Sequence, residues 1–247
     1  VASLVGSEMC IRDSLSTSRS GTGERHGTSL PRLDGCPHLG YPSPEMSPLE
    51  TLLEPIRHSP RLVEAVEILQ TQIREERERR LKFYEEMTPE QKVEFIDGEV
   101  VFHSPAKNRH LAVTRHMMNL LGNYVALHDL GEVMSEKCLC AFPRNDYEPD
   151  IVFFGREKAA GLDADTLRFP VPDLVIEVLS DSTEHRDRGV KFEDYAAHGV
   201  GEYWIVDAEE RRIERYLPDG QRGFQLAETV SGGDVSSEMV EGFSVPF

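Results

Sequence analysis

The chain has 247 residues, and its 44 acidic and 27 basic side chains give a formal net charge of −17. This length accommodates one ordinary domain with extensions. The acid surplus argues against tight nonspecific binding of a polyphosphate, although a local positive patch can still hold one. No run reaches the roughly 20 apolar residues of a spanning helix. We therefore expect a soluble cytoplasmic protein with no membrane partner.

The first 45 residues differ in composition from the rest. Residues 1–45 are rich in Ser, Gly, Thr and Pro and lack apolar periodicity, which predicts disorder. Their opening, VASLVGSEMCIRDS, resembles translated sequencing-adapter text, so Met46 is an expected natural start, with a native disordered tail as the alternative. We predict a tail at 1–45, an N-terminal amphipathic helix within 46–86 and one domain at 87–247, and we expect a short C-terminal piece to be missing.

An amphipathic helix is the first element that the residue pattern predicts. Between Ser59 and Glu86, Leu62, Val66, Leu69 and Ile73 recur at helical spacing and form one apolar stripe. The charged stretch REERERR follows and is typical of a solvated face. We interpret the segment as a docking helix or as the contact of a homodimer.

Alternating elements follow along the chain. Residues 93–102 read as a hairpin around Asp97-Gly98, a dipeptide that tolerates positive φ. Apolar residues at helical spacing predict a helix over 108–128. Two strands are predicted next, at 131–142 and 150–154, joined by a turn-rich segment.

The C-terminal part continues the mixed pattern. The run DLVIEVL at 173–179 is apolar on both faces, which is typical of a strand at the centre of a sheet. A helix at 185–198, a strand at 202–206 and a hairpin around Asp219-Gly220 come next. This order predicts an α/β fold with a mixed central sheet flanked by helices.

Two acids are associated with predicted apolar strands: one lies inside a strand and the other stands at the start of one. Glu177 lies inside DLVIEVL, where an ionised carboxylate needs a compensating cation. Asp150 opens the strand that follows Pro149. If these strands are neighbours, the carboxylates converge, and Mg²⁺ characteristically takes one or two carboxylates together with water and phosphate oxygens. Lys191, on the helix after Glu177, can lean over the strand end, or it can form a surface pair with Asp187.

Three ordered blocks carry a resemblance to a known family. They are PDIVFF at 149–154, PDLVIEVLSDST at 172–183 and DRGVKFEDYAAHGVGEYWIVD at 187–207. The chain from about residue 83 onward resembles the Uma-type endonuclease family of the PD-(D/E)xK nuclease superfamily. The resemblance implies a restriction-endonuclease-like core in which Asp150 and Glu177 bind the metal and Lys191 completes the catalytic set. The superfamily lysine position holds Leu179, so this role moves to the next helix.

The resemblance implies a bacterial, Mg²⁺-dependent endonuclease that hydrolyses phosphodiester bonds in DNA, with Mn²⁺ as a possible substitute ion. Lys191 would orient the attacking water or offset developing negative charge. Two alternatives stay open: a nuclease-fold binding or dimerisation module with little catalysis, and a metal-dependent hydrolase of RNA or nucleotides. The acid surplus favours the first of these alternatives.

Other polar residues near these blocks are weaker candidates. A second metal would need a further acid, which Glu94, Asp97 or Asp173 could supply, and spacing alone does not choose among them. A phosphate-binding track along the second helix is also conceivable, with an ordinary exposed helix face as the favoured alternative. The residues concerned are His103, Lys107, Arg109, His110, Arg115 and His116.

Overall fold

The structure is a computed structural model that describes residues 47–88 and 90–246. The segment predicted to be a disordered tail, residues 1–45, lies outside the described residues. Within the described ranges, no helix combines the length and the apolar character that crossing a membrane requires.

Helices and strands alternate along the described chain. The helices are α1 (Pro48–Arg57), α2 (Leu62–Glu86), α3 (Asn108–His128), α4 (Arg156–Ala159), α5 (Glu184–Asp187) and α6 (Val190–Ala197). The strands are β1 (Val93–Ile96), β2 (Glu99–Phe102), β3 (Gly131–Ser135), β4 (Cys140–Ala141), β5 (Asp146–Tyr147), β6 (Ile151–Gly155), β7 (Leu174–Val178), β8 (Glu202–Asp207), β9 (Arg212–Pro218), β10 (Phe224–Val230), β11 (Asp234–Ser236) and β12 (Ser244–Pro246).

The central sheet has six strands in the order β10-β9-β8-β7-β6-β3. The β7–β8 pair is parallel and the other pairs are antiparallel. A parallel pair requires a crossover connection, and α5 and α6 supply it. Every residue of β7 is buried, as expected for a strand with covered faces. The predicted α/β fold with a mixed central sheet is confirmed.

A second, smaller sheet lies beside the first, with the strand order β2-β1-β5-β4. Its β1–β2 hairpin turns at Asp97 and Gly98, whose φ angles are +51° and +84°. Positive φ at both central residues is what a tight hairpin turn requires, and Asp and Gly tolerate it better than most residues. The predicted hairpin therefore forms with the expected turn residues.

Helix α3 covers one face of the central sheet and has the predicted bounds. It buries Thr114, Met117, Leu121 and Val125, and three of these residues join the core that β6, β7 and β8 form on that face. The helical spacing of Leu111, Thr114, Met118, Leu121 and Val125 predicts the buried stripe of this helix, but Leu111 is exposed and Met117 is buried in place of Met118. The buried face is thus rotated slightly from the predicted one.

Three predicted elements are divided in the structure. The strand expected at 131–142 ends at Ser135, because Glu136 and Lys137 adopt positive φ, and the chain then passes to the smaller sheet as β4. The helix expected at 185–198 breaks around Gly189, where an added Cβ would lie 2.6 Å from the carbonyl oxygen of His185. The N-terminal segment forms two helices, α1 and α2, instead of one.

The two halves of α2 have different surroundings. Towards its C-terminus, Phe83 is buried in a small cluster with Phe95 of β1, and Glu76 is also buried. Towards its N-terminus, the predicted apolar stripe is exposed to solvent. The helix therefore docks on the smaller sheet with one half and extends beyond it with the other.

Candidate active site

Asp150 and Glu177 meet at the end of the β6–β7 pair. Ile151 of β6 faces Ile176 of β7, so Asp150 stands opposite Glu177 one step further along. The backbone nitrogen of Val178 donates to Asp150 Oδ2 over 2.9 Å, and the backbone nitrogen of Asp150 lies 3.3 Å from Glu177 Oε2. Both side chains are buried. The two predicted acids are thus held together by the backbone of neighbouring strands.

Lys191 lies at the same site and not in bulk solvent. Its Nζ is 2.9 Å from Glu177 Oε1, 3.0 Å from Glu94 Oε1 and 3.4 Å from Asp187 Oδ1. Tyr195, one turn further along α6, donates its hydroxyl to the same Glu177 oxygen over 3.0 Å. The structure therefore brings all three predicted residues together, and the pairing of Lys191 with Asp187 is part of the buried site instead of a surface contact.

A second lysine, which the sequence did not single out, contacts the other acid. Lys92 precedes β1, and its Nζ lies 3.0 Å from Asp150 Oδ1. His110 of α3 approaches the same oxygen, with Nε2 at 3.4 Å. The sequence signal in this region belongs to Glu94, which is a carboxylate inside the apolar strand VEFI, as Glu177 is inside DLVIEVL.

Of the three acids considered as further ligands, only Glu94 reaches the site. Glu94 accepts from the backbone nitrogen of Glu148 and contacts His103 Nε2 at 2.8 Å. Asp97 pairs with Arg144, and Asp173 pairs with Lys158 and accepts from a backbone nitrogen of β6. Those two acids are engaged elsewhere.

An open cavity of about 930 Å³ exposes the site, and Asp150, Glu177 and Lys191 all contribute to its lining. Among the described residues that line it, ten are acidic and five are Lys or Arg. Lys107 and Arg109 of α3 are paired with Asp181 and Glu209. The surface is therefore not a strongly basic track, and a polyphosphate needs further positive charge to bind here.

Burial and ion pairing shift the pKa values of the three central carboxyl groups in different directions. Burial raises the pKa of Glu177 to about 8, and repulsion from Asp187 and Asp150 adds to the shift against the opposing effect of Lys191. Burial also disfavours the charged form of Glu94, but its ion pair with Lys191 prevails and lowers its pKa to about 2. For Asp150, burial is outweighed by contacts with His110 and Lys92, which hold its pKa well below the usual range.

The donor set fits a hard divalent cation. Four buried carboxyl groups, those of Glu94, Asp150, Glu177 and Asp187, face the two ammonium groups of the lysines. If all four were ionised, they would carry two more negative charges than the two lysines compensate, and a divalent ion can neutralise that excess. Within the described ranges, no cluster of three or more His, Cys, Asp or Glu side chains has metal-binding geometry. Mg²⁺ needs only one or two carboxylates, since water completes its shell.

The mixed sheet with helices on both sides defines a protein of the restriction-endonuclease-like fold. The chain belongs to the Uma2 family, whose description is "Putative restriction endonuclease" and whose model matches residues 79–247. The fold is similar to that of a crystal structure described as "a putative nuclease belonging to DUF820 from Anabaena variabilis ATCC 29413". That likeness has a TM-score of 0.57 at 19% identity and covers 66% of this chain and 92% of that one. No functionally curated protein matches the sequence.

Proposed function

We propose that the protein is a divalent-metal-dependent endonuclease that hydrolyses phosphodiester bonds in DNA. Asp150 and Glu177 would bind Mg²⁺, with Mn²⁺ as a substitute, and Lys191 would complete the site. The observation that carries the proposal is the pairing of two buried carboxyl groups across neighbouring strands, with a buried ammonium group on one of them. Membership of the Uma2 family supports a nuclease.

In this proposal Asp150 and Glu177 hold the metal ion, and Lys191 and neighbouring groups hold these two acids in position. A bound divalent ion supplies Lewis acidity and a more acidic water at the scissile phosphate. The backbone nitrogens of Asp150 and Val178 hold the two carboxylates in position, and Tyr195 orients Glu177 from α6. Lys191 keeps Glu177 in place through its charge, which stabilises the ionised carboxylate that a metal ligand must present.

The acidic lining of the cavity supports the requirement for a metal. A nucleic-acid backbone is repelled by the ten acidic residues around the site unless cations accompany it. Divalent ions reduce this repulsion both at the reacting phosphate and along the approach. We therefore expect cleavage to depend on the divalent ion and not merely to be accelerated by it.

The direct test is cleavage of a plasmid by purified protein with Mg²⁺, with Mn²⁺ and with EDTA. Asp150→Ala is expected to reduce nicking by at least about 100-fold, because it removes one of two metal ligands. Asp97→Asn serves as the matched control, since this acid lies in the β1–β2 turn and pairs with Arg144. Nicking that survives EDTA, or that survives Asp150→Ala, would contradict the proposal.

The same assay distinguishes among the candidate substrates and tests the alternative function without catalysis. Parallel reactions with DNA, RNA and mononucleotides distinguish a DNA endonuclease from a hydrolase of RNA or nucleotides. The acidic lining also favours a nuclease-fold binding module with little catalysis. Nucleic-acid binding without turnover in either Mg²⁺ or Mn²⁺ would identify such a module.

We also propose that the protein forms a homodimer through α2. Leu62, Val66, Leu69 and Ile73 share one face of this helix, and each is between 37% and 48% exposed. The same face further along the helix is buried against the smaller sheet. The exposed part spans about 17 Å, which is long enough for a helix pair between two copies.

A further inference from the structure

Lys191 has little capacity left for a substrate. An ammonium group has three N–H donors, and that of Lys191 lies 2.9 Å from Glu177 Oε1, 3.0 Å from Glu94 Oε1 and 3.4 Å from Asp187 Oδ1, the last contact being an ion pair without a hydrogen bond. The side chain is only 3% exposed. A phosphate oxygen could contact Lys191 only by displacing one of these carboxylates, and that would leave a buried negative charge without its partner.

Lys92 is placed differently at the same site. Its side chain is 24% exposed, and Asp150 is the one side-chain partner shown for its ammonium group among the described residues. The cavity lining includes Lys92 together with Asp150, Glu177 and Lys191. The contact with Asp150 uses one of its three N–H donors, so the ammonium group can donate to a further partner that enters the cavity.

The backbone holds Lys92 firmly in this position. The backbone nitrogen of His103 donates to the carbonyl oxygen of Lys92 over 3.1 Å, which extends the β1–β2 hairpin by one step. Residues two apart on a strand share a face, so Lys92 and Glu94 both point towards the site. Glu94 reaches Lys191 from this face, and Lys92 reaches Asp150.

We propose that Lys92 is the lysine that contacts the scissile phosphate of the nucleic acid, and that Lys191 is a positioning residue for Glu177 and Glu94. This proposal rests on the nuclease function proposed above. In the protein alone, Lys92 compensates the charge of Asp150. If Asp150 held a divalent cation, its charge would be compensated by that ion, and the ammonium group of Lys92 could then pair with a phosphate oxygen, which is a common partner of lysine.

The test compares Lys92→Met, Lys92→Arg and Lys191→Met with the unaltered protein. We expect Lys92→Met to lower kcat by about 100-fold at saturating Mn²⁺, as loss of one donor to a developing charge does elsewhere. Its affinity for a short DNA duplex in Ca²⁺ should fall roughly tenfold. Calorimetry should show Mn²⁺ binding that is unchanged or tighter, and Lys92→Arg should recover part of the turnover.

Lys82→Met is the matched control, because Lys82 is an exposed lysine on α2 paired with Glu86. If Lys92 only compensates Asp150, Lys92→Met will tighten Mn²⁺ binding and keep its kcat at saturating metal, and that result overturns the proposal while the nuclease function stands. If the unaltered protein cleaves nothing but Lys92→Met loses DNA affinity, the nuclease function fails, and with it the role of Lys92 at a scissile phosphate, although a contact between Lys92 and the DNA backbone remains. Absence of both cleavage and DNA binding in the unaltered protein overturns both.

Discussion

The ammonium group of Lys191 compensates three buried carboxylates at once. It contacts Glu94, Glu177 and Asp187, all of which are almost fully buried. Removing one partner of a buried ion pair is costly, because the remaining charge stays in a poorly solvated place. Lys191 therefore contributes to the stability of the fold as well as to the proposed site.

We expect Lys191→Met to reduce the free energy of unfolding by about 3–5 kcal/mol at pH 8. Burial already raises the pKa of Glu177 to about 8 and that of Asp187 above its ordinary value, and loss of Lys191 raises both further. The folded state then binds more protons than the unfolded state, so stability rises as the pH falls. Urea denaturation of Lys191→Met and of the unaltered protein should therefore show a smaller loss in the free energy of unfolding at pH 5 than at pH 8.

The matched control for this prediction is Lys158→Met. Lys158 pairs with Asp173 at a partly exposed position, where water can replace the lost contact. We expect a smaller loss of stability that is nearly the same at pH 5 and pH 8. An equal loss at both pH values in Lys191→Met would contradict the role assigned to the buried carboxyl groups.

Single residues differ in how far local pattern reveals them. Glu177 was predictable because a carboxylate within an apolar strand needs compensation wherever that strand lies. Glu94 carries the same signal, but spacing alone does not distinguish it from Asp97 and Asp173 as a further ligand. Lys92 gives no local signal at all, since a lysine before a strand is ordinary until tertiary packing brings Asp150 to it.

At the level of elements, the ion pair between Arg80 and Asp146 connects α2 to the smaller sheet. Arg80 donates from Nε and Nη2 to the two oxygens of Asp146 over 2.6 and 2.7 Å. The carboxylate of Asp146 is fully buried and also accepts from the hydroxyl of Tyr84. Two parallel hydrogen bonds of this kind fix the orientation of the helix as well as its contact.

Arg80→Met is expected to destabilise the protein by about 3–5 kcal/mol, because it removes the ion-pair partner of the buried carboxyl group of Asp146. Arg61→Met is the control, since Arg61 pairs with Glu64 at an exposed position on the same segment and should leave the unfolding midpoint unchanged. Hydrogen exchange should show faster opening of α2 in Arg80→Met alone. Unchanged midpoints in both variants would contradict the anchoring role of Arg80.

Elements differ in predictability because their boundaries have different causes. Helix α3 was predictable over its whole length because one continuous apolar face specifies it. The break after β3 depends on positive φ at Glu136 and Lys137, residues that carry no turn signal of their own. The chain bends there because β3 and β4 belong to different sheets.

For the whole molecule, the exposed half of α2 is the feature that bears on assembly. Its apolar stripe continues the face that docks on the smaller sheet, but the four side chains of the stripe are between 37% and 48% exposed. Apolar side chains exposed together in this way favour contact with another surface. The proposed homodimer would bury this stripe between two copies of α2.

Light scattering during size-exclusion chromatography tests this assembly. We expect the unaltered protein to elute with twice the chain mass of 27.9 kDa, and Leu69→Glu with Ile73→Glu to give the monomer mass, because two charges then face the partner helix. Leu127→Glu is the control, since this exposed leucine lies on α3. A monomeric unaltered protein would show that the dimer proposal is wrong.

Local residue patterns alone indicated the order of the main elements, the central position of the strand at 173–179 and one candidate acid, Glu177, whereas Asp150 was assigned chiefly through the family resemblance. Alternation and helical spacing act over a few residues, so a single sequence records them directly. Only the tertiary structure decided that Lys92, Glu94 and Asp187 share the site with them. Those contacts join two sheets and a helix that are distant along the chain, and they depend on how these elements pack against one another.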